Sequence, residues 1–275
     1  MNSTILSARN RLLSLYSMRC GKGHRVDTSH LPERRLLIGT HHKSGTVWMH
    51  DVFARICRDF NLSWFVMDQS EKLPNDWQVL QHMHSQFPLD LMADQEVRGL
   101  HLIRDPRDML VSGAFYHGTS SEAWLHAPND GFGRKTYQET INALPDMSQK
   151  IEFEMEMATG WELAHMETWD YADERFMNLP YEQLIDDMNL RVFRELFEFL
   201  GFRGGALLVC LQHAYDNSLF SGNVASKGHV RSGRVEQWRK YFTRQLAERF
   251  SGKFPGLLEK LGYETDQNWI NNCPE

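Results

Sequence analysis

The sequence is poor in cysteine, and its cysteines show no pairing pattern. The 275 residues include four cysteines, at positions 20, 57, 210 and 273, and none of them forms a Cys-x-x-Cys pair. Disulfide frameworks and structural zinc sites need clustered thiols, so the sequence argues against both. A reducing compartment is therefore the natural environment for this chain, and we expect a cytoplasmic protein.

The sequence also lacks linkers, repeats and long apolar runs. No Pro/Gly/Ser-rich boundary divides it, which predicts a single domain over residues 1–275 with an N-terminal extension over 1–33. Residues 5–18 have helical spacing, but polar residues interrupt it at 9–11 and no cleavage site follows. We expect an ordinary terminal helix and no transmembrane segment, with an amphipathic membrane-surface helix as the alternative.

An excess of positive charge is missing as well. The chain has 30 lysines and arginines against 36 aspartates and glutamates, a formal net charge of −6 at pH 7. Such a molecule has no overall field that would gather nucleic acid, so no nucleic-acid partner is expected. Any anionic ligand must be held by local positive charge.

A local basic site of this kind lies near the N-terminus. The apolar residues 36–38 predict a buried strand, and helical spacing begins at Thr46. Between them, Ser44 and Gly45 can turn backbone N–H groups toward one point, and Lys43 adds a full positive charge beside the helix dipole. The stretch predicts a site for a phosphate or sulfate ester. It is not a Walker A loop, because the lysine precedes Ser-Gly-Thr instead of following a glycine.

Two histidines follow a second short strand, which is predicted at Val79 and Leu80. His82 and His84 are two residues apart, so on an extended backbone they would share one face. An imidazole with an ordinary pKa of about 6.5 accepts a hydroxyl proton at neutral pH. One of the two is therefore a candidate general base, and a structural histidine is the alternative.

A second strand-to-helix corner also carries basic side chains. Residues 100–103 predict a core strand, and Pro106 suits the first turn of a helix. Arg104 stands at the end of the strand, where open α/β sheets bind ligands. Ser112 follows about two helical turns later. Taken alone, the corner also fits a helix-capping Arg–Asp pair with a solvated serine.

These motifs together resemble those of sulfotransferases that use 3′-phosphoadenosine 5′-phosphosulfate (PAPS). Lys-Ser-Gly-Thr-x-Trp at 43–48 is similar to the 5′-phosphosulfate loop of that family. Arg-Asp-Pro-Arg-Asp-x-x-Val-Ser at 104–112 is similar to its 3′-phosphate segment, and residues 230–243 are similar to its C-terminal Arg-Lys-Gly-x-x-Gly-Asp-Trp segment. The resemblance implies a single α/β domain with a central parallel sheet flanked by helices, akin to P-loop kinases.

The resemblance also implies roles for individual residues. Lys43 would stabilise the leaving group, and His84 would be the general base, with His82 as the alternative because an extra residue precedes Pro88. Trp48 either stacks on the purine or anchors the core. PAPS would be the cofactor and adenosine 3′,5′-bisphosphate (PAP) the product. The implied cofactor contacts are Lys43, Ser44, Gly45, Thr46, Val47, Trp48, Arg104, Ser112, Tyr181, Ser218, Phe220, Arg231, Ser232 and Gly233.

The chain departs from the family pattern at several positions. His41-His42 replaces the usual Tyr-Pro, Val47 replaces a threonine and Ser232 replaces a lysine. Three rival functions are a P-loop phosphotransferase using Mg-ATP, a metal hydrolase built on the histidines at 41, 42, 82 and 84, and a non-enzymatic nucleotide-binding module. The phosphotransferase would need an acid where Arg104 stands, in order to hold the metal.

Two further regions complete the prediction. Residues 118–145 are rich in Gly, Ser, Asn and Asp, and they predict a loop-rich lid or acceptor-binding region with one helix. Together with residues 61–77 they fit a small-molecule or carbohydrate acceptor, sulfated at a hydroxyl or an amine. Residues 151–171 predict one long helix whose glutamates, at 152, 154 and 156, face water. The oligomeric state is left open.

Overall fold

A computed structural model describes residues 30–67, 73–222 and 233–275. Its strands form one five-stranded sheet in the order β2-β3-β1-β4-β5, and every neighbouring pair is parallel. The predicted α/β class with a central parallel sheet is confirmed. The strands are β1 (Arg35–Gly39), β2 (Trp64–Met67), β3 (Val79–His82), β4 (Val97–Ile103) and β5 (Phe176–Pro180).

The described helices start close to where the sequence predicts them. The helix predicted from Thr46 begins and ends as expected, and Pro106 occupies the first turn of its helix. The helices are α1 (Thr46–Phe60), α2 (Leu89–Ala93), α3 (Pro106–His117), α4 (Tyr137–Asn142), α5 (Met147–Glu156), α6 (Ala158–Thr168), α7 (Tyr181–Ile185), α8 (Arg191–Phe199), α9 (Gly204–Asp216), α10 (Arg244–Lys253) and α11 (Leu257–Lys260).

The chain divides into two compact units. The sheet unit contains all five strands and consists of residues up to Ile103 together with Asp170–Gly233. The helical unit consists of Arg104–Trp169 and Arg234–Glu275. The single domain over 1–275 stays a prediction, and the terminal helix expected over 5–18 lies outside the described residues. Among the described helices, none combines the length and the apolar character needed to cross a membrane.

In the sheet unit, strand β1 lies at the centre of the sheet. Strand β1 pairs with β3 and β4 along its two edges. Leu37 and Ile38 point to opposite faces of the sheet and both are fully buried, so both faces are covered at this point. Helix α1 buries Met49, Val52 and Phe53 in the same core, at the spacing of one helical face. Apolar burial of this kind is the main favourable contribution to the stability of the unit.

The register of the sheet brings three chain segments to one edge. Gly39 at the end of β1 is opposite His82 of β3 and His101 of β4. His101 is in turn opposite Asn178 of β5. The carboxyl ends of parallel strands meet at the same edge of a sheet, so the turn after β1 and the histidines after β3 belong to that edge.

In the helical unit, the long helix predicted over 151–171 is wrong, because it is broken at Met157. The backbone there has φ −117° and ψ −129°, and α5 ends before it while α6 begins after it. A glycine three residues further on fits this break, since a Cβ on Gly160 would lie 1.9 Å from the Met155 carbonyl oxygen. The chain can bend this sharply only where that side chain is absent.

The prediction that Glu154 faces water is also wrong. Its side chain is fully buried, and its Oε1 accepts hydrogen bonds from His117 Nδ1 (2.7 Å) and Tyr137 OH (2.9 Å). Its Oε2 accepts one from Thr159 Oγ1 (2.6 Å). Burial and the adjacent Glu154 carboxylate raise the pKa of Tyr137, which keeps its hydroxyl a donor. Glu156, on the other side of the helix, is exposed as predicted.

Candidate active site

The turn between β1 and α1 is organised by the backbone of His41. Its carbonyl accepts hydrogen bonds from the Ser44 N–H (2.9 Å), the Ser44 hydroxyl (2.8 Å) and the Thr46 hydroxyl (2.9 Å). Its own N–H donates to Ser44 Oγ at 2.9 Å. Both hydroxyl protons are thus directed at one internal carbonyl. What this segment can offer to a ligand is the set of backbone N–H groups at the start of α1, together with the charge of Lys43.

Two residues of the turn have backbones in the left-handed region. Lys43 has φ 70° and Gly45 has φ 110°. For a lysine this conformation costs free energy, so the hydrogen bonds around His41 must hold it in place. At Gly45, a Cβ would also lie 3.1 Å from the ring of Tyr181. At position 45, therefore, glycine is the residue type that this conformation requires.

Helix α1 begins directly after the turn with an end suited to an anion. Gly45 is its N-cap, no side chain caps it, and its first turn contains no acidic residue. The first N–H groups of any helix have no intrahelical acceptor, and the helix dipole is positive there. With the charge of Lys43 beside them, these groups are suited to hold a phosphate-like anion, and we refer to them together with Lys43 as the cradle.

Trp48 and Tyr181 lie together beside this cradle. Their ring centroids are 5.9 Å apart in an edge-to-face arrangement, and Trp48 packs in the same way on Phe193 at 5.7 Å. Tyr181 is placed there because α7 starts immediately after β5. Trp48 is therefore packed on the core, and its neighbour Val47 is 51% exposed.

The two histidines after β3 are close together, but not as predicted. Strand β3 ends at His82 and His84 lies in the following turn, so the prediction that both share one face of an extended strand is wrong. Their ring centroids are 6.2 Å apart, and the His84 backbone N–H donates to His82 Nδ1 at 3.2 Å. His82 is buried, whereas His84 is partly exposed.

Residue Thr40 connects this histidine turn to the turn between β1 and α1. Its N–H donates to the His82 carbonyl (3.1 Å), and its carbonyl accepts from the Ser85 hydroxyl (2.9 Å). Thr40 directly precedes His41, so the histidine turn and the cradle are fixed to the same peptide segment. The structure thus brings the candidate base and the candidate anion site to neighbouring loops of the sheet unit.

Ser218 and Phe220 follow helix α9 in the sheet unit. Ser218 is fully buried, and its hydroxyl donates to the Tyr215 carbonyl at 2.6 Å. Phe220 is partly buried and lies with its ring centroid 5.9 Å from that of Tyr215. Within this arrangement, the Ser218 hydroxyl stabilises the end of α9.

In the helical unit, Arg104 and Ser112 bracket the first turns of α3. The Arg104 side chain is about nine-tenths buried, with its Nη2 3.9 Å from Asp108 Oδ2. Ser112 lies within α3 and is partly exposed. The capping interpretation of this corner is also correct in part, because the Asp105 side chain accepts from the Arg107 N–H (2.9 Å).

The sequence analysis missed the role of Arg107. This guanidinium is 2% exposed and lies 3.7 Å from the centroid of the Trp238 ring, where it forms a cation–π contact. It also donates to Asp105 and to Glu264 Oε1 (2.6 Å). The Trp238 backbone N–H donates to Asp108 Oδ1 at 2.9 Å. The second arginine of the Arg-Asp-Pro-Arg-Asp motif therefore anchors the tryptophan of the C-terminal motif.

Part of that C-terminal motif cannot be placed. Arg231 and Ser232 lie outside the described residues, and Gly233 has φ 59°, in the region that favours glycine.

His101 and Asn178 were not expected from the sequence to have a role, although each is a polar residue in the middle of a core strand, which is an unusual position. In the described part of the chain, no group of three or more metal-ligating side chains is arranged to hold an ion.

Comparison with known proteins identifies one matching family. The model of the sulfotransferase domain family matches residues 33–262. Sulfotransferase 2A2 of Mus musculus is 24% identical over 254 residues, which cover 81% of this chain and 83% of that protein. The 3-beta-hydroxysteroid sulfotransferase of Cavia porcellus is 26% identical over 248 residues, covering 77% and 79%.

Solved structures show the same fold. The crystal structure of mouse sulfotransferase SULT7A1 complexed with PAP superposes with a TM-score of 0.54 at 15% identity, covering 90% of this chain and 91% of that one. Retinol dehydratase in complex with androsterone and the inactive cofactor PAP gives a TM-score of 0.52 at 14% identity, covering 90% and 86%. At these identities the likeness is one of fold.

Proposed function

Because this chain belongs to the sulfotransferase family and is therefore an enzyme of that class, we propose that it transfers the sulfuryl group of PAPS to a small-molecule or carbohydrate acceptor. The acceptor atom is a hydroxyl oxygen or an amine nitrogen. The transfer is an in-line displacement in which cationic side chains neutralise the leaving phosphate. The cytoplasmic location expected from the composition stays a prediction.

The observation that carries this proposal is the cradle after β1. Its donors are backbone N–H groups at the start of α1, and its charge is that of Lys43, a set that suits a phosphate ester. Gly45 leaves room beside Tyr181 that a Cβ would fill. The residues present therefore fit the 5′-phosphosulfate of PAPS, and two structures with this fold are described as holding PAP.

The remaining contacts follow from the family resemblance. We assign the adenine to Tyr181 and Trp48, whose rings already lie together. Arg104 and Ser112 would bind the 3′-phosphate, since guanidinium groups bind phosphate with two parallel hydrogen bonds. Arg231, Ser232 and Gly233 would complete this part of the site, and Ser218 and Phe220 would line the nucleoside. Val47 and its neighbours in the cradle would act through their backbone N–H groups.

The structure favours His84 over His82 as the general base. His82 is buried, and its Nδ1 already accepts the His84 backbone N–H, so its neutral ring carries its proton on Nε2. A ring in that state has no bare nitrogen left to accept a proton. His84 is partly exposed in the turn, as a base that meets an incoming acceptor must be.

The chemistry required of the protein is electrostatic and acid–base. PAPS, when bound, supplies the sulfuryl group. Lys43 holds positive charge where the negative charge of the leaving phosphate develops, an effect that is large in a site from which water is excluded. His84 takes the proton from the acceptor hydroxyl, which makes that oxygen a better nucleophile.

Binding of PAP in the absence of metal tests the nucleotide assignment. We expect PAP, added to protein in EDTA, to raise the melting temperature and to bind by calorimetry with 1:1 stoichiometry. Mg-ATP serves as the comparison, because it is the ligand of a P-loop phosphotransferase. Stabilisation by Mg-ATP but not by PAP would overturn the proposal.

Two histidine variants test the mechanism. We expect His84→Ala to lower kcat at least about 100-fold, the usual contribution of a general base, while leaving PAP binding within twofold. His82→Ala is the matched variant, and we expect it to act mainly through stability. Screening hydroxyl and amine acceptors with labelled PAPS identifies the substrate class, and full activity in His84→Ala would remove this residue as the base.

A further inference from the structure

The residue that organises the phosphate-binding turn is itself held by a buried chain of polar side chains. His41 Nε2 lies 2.9 Å from His101 Nε2, and His101 Nδ1 lies 2.9 Å from Asn178 Oδ1. Both histidines are fully buried. The strand register explains the contact, because His101 of β4 is directly opposite Asn178 of β5. These hydrogen bonds connect the turn to two strands of the sheet.

The direction of each hydrogen bond between these side chains can be assigned. The Asn178 amide nitrogen donates to the Tyr171 carbonyl at 3.3 Å, so its Oδ1 faces His101 as an acceptor. The His101 Nδ1 must then carry the proton, which leaves its Nε2 bare. His41 can only approach that nitrogen as a donor, through its Nε2–H. The fixed amide of Asn178 therefore selects one tautomer of each histidine.

The orientation of His41 matters because its peptide group holds the turn. The His41 carbonyl accepts three hydrogen bonds, two from Ser44 and one from Thr46, and these keep Lys43 in its left-handed backbone conformation. Because His41 Nε2 is held by His101, the fixed imidazole restrains the backbone of its own residue. Without that restraint the peptide group of His41, and this carbonyl with it, could shift. The N–H groups of the cradle would then lose their common direction, which binding of one phosphate requires.

We propose that His101 and Asn178 are positioning residues, which act through His41 to fix the phosphate-binding turn in the conformation that receives the 5′-phosphate of PAPS. The identity of the ligand in this inference rests on the proposed function, whereas the ordering of the turn by His101 and Asn178 does not. The family resemblance assigns neither residue a role, and His41 stands at a position where this chain departs from the family pattern.

Two substitutions of Asn178 test these hydrogen bonds with little change in side-chain volume. Leucine in Asn178→Leu cannot accept from His101, so His101 Nδ1 loses its partner and the tautomers of the two histidines are no longer fixed. We expect PAP to bind about tenfold more weakly, the effect of about one lost hydrogen bond. Asn178→Asp keeps an acceptor toward His101, and we expect binding within threefold of the parent protein.

His213→Phe is the matched control for loss of a buried histidine. His213 lies in the same unit and pairs with Asp59 Oδ2 at 2.7 Å, near the opposite end of α1 from the cradle. We expect it to lower the melting temperature without changing the PAP dissociation constant. His101→Phe removes the same hydrogen bonds in a second way. We expect it to weaken PAP binding as Asn178→Leu does, with the KM of the acceptor unchanged.

Hydrogen exchange of the amides at residues 43–46 in ligand-free protein separates this inference from the proposed function. We expect exchange to be at least threefold faster in Asn178→Leu than in Asn178→Asp. If the parent protein does not bind PAP, the proposed function fails, and the exchange rates alone decide the inference. Equal exchange rates in the two Asn178 variants, or equally weak PAP binding by them, would overturn it.

Discussion

Replacement of Glu154 by leucine is expected to destabilise the protein strongly. The side chain is fully buried and accepts three hydrogen bonds, from His117, Tyr137 and Thr159. Glu154→Leu leaves three buried donors without an acceptor, and each such donor costs about 1–3 kcal/mol. Because the leucine returns part of this through its own apolar burial, we expect a net loss of about 3–5 kcal/mol in the free energy of unfolding.

Two further variants show whether the loss comes from the lost acceptors. Glu154→Gln keeps Oε1 for His117 and Tyr137, and its amide can donate to Thr159 Oγ1, so we expect a loss of only about 1–2 kcal/mol. Glu156→Leu changes an exposed glutamate of the same helix, whose ion pair with Lys253 is worth about 0–1 kcal/mol.

Urea denaturation followed by tryptophan fluorescence measures these differences. The midpoint and slope of each transition give the free energy of unfolding in water. A gap of less than about 1 kcal/mol between Glu154→Leu and Glu156→Leu would refute the reasoning, since it would mean that the buried carboxylate contributes no more than a surface charge.

Three other predictions concern the cradle, the buried histidine and a close contact of α3. Lys43→Met should lower kcat by about 100- to 1000-fold in a PAPS assay while the melting temperature changes little, and unchanged turnover would contradict the role of this charge. Burial, and then the neighbouring His41, hold the pKa of His101 well below 6.5. Below about pH 6.5 the unfolded chain therefore takes up a proton that the native protein does not, and the free energy of unfolding should fall by up to about 1.4 kcal/mol per pH unit. Urea titrations measure this slope, which should be weaker in His101→Phe. Gly113→Ala should cost about 1–3 kcal/mol in the same titrations, because its Cβ would lie 2.4 Å from Thr159 Oγ1 and 2.9 Å from Glu154 Oε2, whereas an unchanged midpoint would show that these side chains move aside.

Most of the fold could be predicted because local sequence patterns and the sheet agree. The apolar run before Lys43 and the helical spacing after Thr46 specify β1 and α1 without any knowledge of their neighbours. Pro106 marks the start of α3 for an equally local reason. Such features need only the chain within a few residues.

The errors arose where tertiary contacts decide the outcome. Nothing near Glu154 in the sequence shows that three donors from other segments surround it, so a charged residue in a helix was expected to face water. The end of β3 at His82 is another case, because the turn is tied to Thr40, which follows β1 and is far away in the sequence. His101 and Asn178 become a pair only through the register of β4 and β5.

The hydrogen bonds that Ser44 and Thr46 direct inward have a consequence for how this enzyme can diverge. Peptide groups are present whatever amino acid is encoded, so the proposed contacts to the anion would survive many substitutions that would abolish a binding site made of side chains. Val47, whose side chain is half exposed, illustrates this freedom at a position where the pattern that the sequence resembles has a threonine. A chain that is only 24% identical to Sulfotransferase 2A2 of Mus musculus could thus keep such N–H donors while the residues around them differ. Engineering of a new acceptor preference can draw on the same tolerance.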